Sequence, residues 1–156
     1  MHNSPIARRK IHYASFDEVL VDAEWLVRAG ATTTGNWSLD QILGHVAIAM
    51  ERSIDGFEGN APWFIRVVAR YFVKPRILKH GMQPGFRLPV EAEKWAFPAA
   101  GGDPSETLER LRRAIGRLRT EPTRVPHPAF GPMPAAEWDR LHLRHAELHM
   151  SFVKEP

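Results

Sequence analysis

The sequence predicts an all-α fold: a four-helix bundle with an additional helix and a long loop in the crossover between bundle helices 2 and 3. Three observations lead there. Apolar residues recur three and four apart in several blocks. Capping residues open the blocks, and Pro and Gly cluster between them. Neither an alternating pattern of useful strand length nor an internal repeat occurs. The 156 residues suit a single domain running from 1 to 156.

The first helix is expected from Ser15 to Gly30, with Ser15 and Glu18 as a capping box and Gly30 as the C-cap. Val19, Leu20, Ala23, Leu26 and Val27 form its apolar stripe. A second begins at Trp37-Ser38, where Ser38 and Gln41 form another box, and carries Leu39, Ile42, Leu43, Val46, Ala49 and Met50. The third block runs from Pro62 to about Val73 and passes Pro75 only as an irregular segment. Gly81 to Gly102 reads as a long connection bearing Trp95 and Phe97, of the kind that is functional or packs over a groove. Asp103-Pro104-Ser105-Glu106 then supplies an N-cap, a Pro at the first helical position and an acid in the first turn. Leu108, Leu111, Ile115 and Leu118 follow at helical spacing. The last block runs from Pro134 to about Lys154.

Composition removes several function classes. There is no Cys, which excludes a disulfide framework, Cys-ligated zinc, an iron–sulfur cluster and a cysteine nucleophile. The net charge of +3 includes no block of five like charges, and the densest basic run, Arg110 to Arg119, alternates with Leu and Ile. That run reads as a solvated helix face, so no nucleic-acid partner is expected. Trp63 to Val73 is the most apolar stretch, but Arg66 and Arg70 interrupt it, and it is too short to span a bilayer. No apolar h-region follows Arg8, Arg9 and Lys10, so the expected location is cytoplasmic, with no membrane partner.

Eight His remain to be explained. His145 and His149 lie one turn apart on one face of the last helix, flanked by Trp138, Leu141, Leu148 and Phe152. Two imidazoles in an apolar stripe need partners for their nitrogens: a metal ion, or a carbonyl and a water. His45, among apolar residues in the middle of the second helix, is the candidate third ligand. Three neutral His with one open position describe a catalytic rather than a structural metal site. His142 falls at the edge of the stripe, and His127 in His127-Pro128-Ala129-Phe130-Gly131 precedes the last helix; with Trp138, both are pocket candidates. His2, His12 and His80 read as bystanders.

At these residues the chain resembles the DinB/YfiT-like superfamily of metal-binding four-helix bundles. The shared pattern is a Trp-Ser helix start, an inward His on the second helix and His-x-x-x-His on the last, here Trp37-Ser38, His45 and His145 to His149. A narrower likeness, to a little-characterised branch, rests on Met82-Gln83-Pro84-Gly85-Phe86 with Pro89, then His127 to Gly131, Glu137-Trp138 and Leu141-His142. The chain departs from that branch at Leu148, at Phe152-Val153 and at Pro134, where a capping Ser or Thr is expected. The resemblance implies a divalent ion, commonly zinc or nickel, on His45, His145 and His149. It also implies a thiol transferase or isomerase chemistry that uses a low-molecular-weight thiol as cosubstrate.

Two functions follow as expectations. One is a metal-dependent enzyme acting on a small molecule, as a transferase through an external thiol or as a hydrolase through water. Without Cys, any sulfur must come from the cosubstrate. Glu147 points away from the ligands, and Glu51 and Asp55 are expected in solvent. The alternative is a non-catalytic metal- or small-molecule-binding bundle, its pocket lined by Trp63, Phe64, Tyr71, Phe72, Phe86, Trp95 and Phe97, residues that otherwise read as ordinary packing. The basic helix with Arg66, Arg70 and Lys74 has an apolar face too broad for exposure, which suggests burial or a homodimer over membrane-surface binding.

Overall fold

The computed structural model describes residues 8–85 and 90–156. Among the described residues seven α-helices follow in order: α1 (Phe16–Arg28), α2 (Leu39–Asp55), α3 (Trp63–Val68), α4 (Lys74–His80), α5 (Val90–Ala96), α6 (Pro104–Thr120) and α7 (Ala135–Met150). A π-helical stretch, Ala69–Val73, joins α3 to α4. Among the described residues there is no strand, only isolated bridges between Thr33 and Val153 and between His127 and Gly131. None of these helices is long and apolar enough to cross a membrane.

The four long helices form the bundle. α2 packs along α6, α6 against α1, and α7 closes the ring against α2 and α1. Leu26, Leu43, Met50, Leu111, Ile115 and Met150 fill the space between them with almost no exposure. Each such side chain contributes roughly 1.5–3 kcal/mol by leaving water. A smaller apolar cluster of Ala69, Phe130, Met133, Trp138 and Leu141 lies beneath the crossover.

Helix ends follow the capping residues closely. The Gly30 N–H reaches the Val27 carbonyl and the Ala31 N–H the Leu26 carbonyl, a Schellman pair made possible by φ +63° at Gly30. Asp103 accepts from the Ser105 N–H at 2.8 Å. The Glu18 carboxylate reaches the Ala14 N–H, one residue beyond the expected box partner. The basic stripe of α6 is paired rather than merely solvated: Arg110 with Glu51, Arg112 with Glu24, Arg117 with Asp55 and Arg119 with Asp17. Asp55 stays exposed within its pair, as expected, whereas Glu51 is half-buried.

Three further features differ from the sequence reading. α7 ends at Met150, four residues early, because the chain turns to pair with the segment before α2: Thr34 N–H to the Phe152 carbonyl and Lys154 N–H to the Thr32 carbonyl, both 2.8 Å. The third block stays helical to His80, since the Lys74 N–H bonds back five residues to Ala69. That π spacing puts Pro75 in the first turn of a new α-helix, where its missing N–H costs little. Finally, the crossover holds α5 within what read as a loop. Phe86 and Pro89 of the crossover motif lie outside the described residues.

Candidate metal centre

His45 sits in the middle of α2 and is buried. Its Nδ1 lies 2.6 Å from the carbonyl oxygen of Ala96, the last residue of α5. A carbonyl only accepts, so the ring carries its proton on Nδ1 and presents a lone pair at Nε2. α7 aims His145 and His149 at the same point. The Nε2 atoms of His45 and His145 are 3.1 Å apart, and the ligand atoms of all three His lie within 4.8 Å of one another. Ring centroids are separated by 4.4 to 4.9 Å.

Trp37, immediately before the Ser38 cap, stacks on His149 with an interplanar angle of 11° and meets His45 edge-on. Phe97 closes on Trp37 from the crossover side. His145 and His149 keep partial exposure as residues, whereas His45 is buried. Two clefts elsewhere, of about 600 and 570 Å³, are lined by other residues and reach none of the three imidazoles.

Burial keeps these rings uncharged. Desolvation lowers His45, against the opposing Ala96 hydrogen bond, and pushes His149 down to about 3 with help from His45. His145 falls well below the ordinary imidazole value through desolvation and the neighbouring His. Deprotonated imidazole is the state that ligates metal. Two nitrogens at about 2.0–2.1 Å from a tetrahedral ion stand roughly 3.3 Å apart, close to the observed 3.1 Å. The donor set therefore fits a divalent ion, and among the described residues no carboxylate joins it. Glu147 instead accepts from the Tyr13 N–H and pairs with Arg144, turned away from the centre as the sequence suggests.

The other singled-out residues gather in a second cluster one turn earlier on α7. His142 is only 3% exposed, which corrects its expected place at the edge of the stripe. Ser53 of α2 holds it: the Ser53 hydroxyl donates to the Met50 carbonyl, leaving its oxygen to accept from His142 Nε2 at 3.0 Å. His127 Nδ1 accepts from the Ala129 and Phe130 N–H groups, so its proton is on Nε2. Trp138 lies between Phe57 and His142, stacked on both, with His127 tilted against it. Its indole N–H is buried without a partner. Desolvation lowers His127 to about 4 and His142 to about 3.

The crossover aromatics divide. Trp95 packs on Phe57 and Phe97 on Trp37, whereas Trp63, Phe64, Tyr71 and Phe72 are exposed, and of these Tyr71 lines the 570 Å³ cleft away from the imidazoles. Sequence reading missed the roles of Ala96 and Ser53, since a backbone carbonyl and a lone hydroxyl carry no pattern. Trp37 was visible only as part of a helix start. His12 and His80 are exposed, although His12 Nδ1 lies 3.0 Å from Arg144 Nη1.

Fold and site together define an α-helical bundle with an inward cluster of three imidazoles able to hold a metal ion. The chain matches the family described as "Protein of unknown function (DUF1569)" over residues 6–156 and belongs to it. No curated protein gives a significant match, and no solved structure does.

Proposed function

We propose that the protein is a metal-dependent enzyme of the DinB/YfiT-like superfamily, with a divalent ion, zinc or nickel, on His45, His145 and His149. The observation that carries this reading is the convergence of three neutral imidazoles from two helices within 4.8 Å. A bound ion would supply Lewis acidity, making an external low-molecular-weight thiol or water nucleophilic at neutral pH for transfer or hydrolysis. The chain's own residues do the positioning. Ala96 fixes the His45 tautomer, and Trp37 shields the face of His149 from water. A small-molecule substrate approaches at the edge where His145 and His149 remain partly exposed, beside Phe97. In this reading His127, His142 and Trp138 form the wall behind it, with His142 and Trp138 buried.

A non-catalytic metal- or small-molecule-binding bundle is the second reading, favoured by one observation: among the described residues no carboxylate joins the ligands to act as general base. Protein loaded with zinc or with nickel separates the two. It is assayed with glutathione and chlorodinitrobenzene, and with nitrophenyl acetate without thiol. Turnover that requires the ion and falls at least roughly a hundredfold in His149→Ala is expected. Stoichiometric metal with neither activity favours the binding module, and turnover independent of metal overturns the enzyme reading.

A further inference from the structure

The segment Trp63–His80 is amphipathic in the inverted sense. The cationic side chains level with its apolar stripe face the protein: Lys74 pairs with Glu137 at 2.7 Å, and the guanidinium groups of Arg66 and Arg70 lie over Gly131. Its apolar side chains face outward. Trp63, Phe64, Val67, Val68, Tyr71 and Phe72 form one stripe, each exposing between 48% (Val67) and 76% (Trp63) of its surface. With aromatic side chains of about 200 Å² each, this stripe presents on the order of 700 Å² of mostly apolar surface. That exceeds the roughly 300–600 Å² of the largest patch on a typical monomer. It approaches the roughly 800 Å² that each partner gives to a standard interface.

We infer that this stripe is a homodimer interface in which two copies pack α3 and the π stretch antiparallel about a two-fold axis passing between Val67 and Val68. The stripe is nearly symmetric about that point, as an isologous contact requires. Trp63 faces Phe72 of the partner subunit, Phe64 faces Tyr71 of the partner subunit, and Val67 faces Val68 of the partner subunit. Charge agrees with this direction. The exposed cations Arg76 and Lys79 lie at one end, and Glu58, whose side chain is 74% exposed, lies just before the other. The antiparallel arrangement brings Arg76 of the partner subunit to the level of Glu58. A parallel arrangement would instead oppose like charges. An anionic membrane, the other apolar-seeking surface, is disfavoured because Arg66, Arg70 and Lys74 are turned away from the stripe rather than flanking it.

Sedimentation equilibrium on the full chain tests this. The wild type is expected to have twice the 17.7 kDa chain mass, with a dissociation constant of about 10 µM or tighter. Phe72 is already exposed, so Phe72→Glu leaves the helical circular dichroism unchanged and raises that constant roughly a hundredfold. Arg76→Glu weakens the dimer about three- to tenfold, and adding Glu58→Arg restores it. A wild-type monomer at about 100 µM, a dimer indifferent to Phe72→Glu, or monomers that sediment with phosphatidylserine vesicles through Phe72 would overturn the interface. Failure of the double charge exchange would overturn the antiparallel register.

Discussion

His142 shows what a single residue gains and loses in this fold. Enclosed by Trp138 and Ser53, it is held neutral, its pKa pushed from the ordinary 6.5 down to about 3 by desolvation. The unfolded chain therefore binds a proton at mildly acid pH that the folded chain refuses. Stability is full above about pH 6.5 and falls as pH drops toward the folded value. Between about pH 7 and pH 5 this group alone costs on the order of 2 kcal/mol. Urea unfolding of metal-free protein is expected to show a loss about 2 kcal/mol smaller for His142→Gln than for the wild type; equal losses would contradict the assignment. The three ligand candidates were legible because His145 and His149 repeat at helical spacing and His45 falls on an apolar face. The depth of His142 was not, because it depends on Ser53, a hydroxyl from another helix.

Elements were legible where a local signal marks them. Ser15, Ser38 and Asp103 open helices, and Gly30 closes one, because capping satisfies backbone groups within a few residues. The crossover was not, since α5 is a seven-residue helix placed by what it packs against. Gly44 is part of that placement: a Cβ there would stand 3.1 Å from Pro98 Cγ, two residues beyond the Ala96 carbonyl that holds His45. Gly44→Val is therefore expected to push this segment away and loosen His45 while α2 remains helical. Zinc titration of the variant should give an affinity at least roughly tenfold weaker, with the circular dichroism of the wild type. Unchanged affinity would show that the close approach does not support the centre.

At the scale of the whole molecule, one ring of helices serves two purposes. The bundle core sets α2 against α7 so that His45 meets His145 and His149, while the crossover closes the site with Ala96 and Phe97 and turns an apolar stripe outward. The bundle was predictable from periodicity, and the outward stripe was not. The same pattern of apolar and basic residues describes either a buried helix or an inverted one, and only the position of Glu137 and Gly131 decides which way the cations face. The absence of Cys leaves the imidazole cluster as the one donor set identified among the described residues. The central claim is that this cluster holds a divalent ion. Its most direct test is the metal content, by plasma mass spectrometry, of protein prepared without a His tag and exposed to zinc or nickel. About one ion per chain in the wild type, and none in His45→Ala or His149→Ala, is the result expected of a three-imidazole site. A wild type that retains no ion, or alanine variants that retain as much as the wild type, would contradict it.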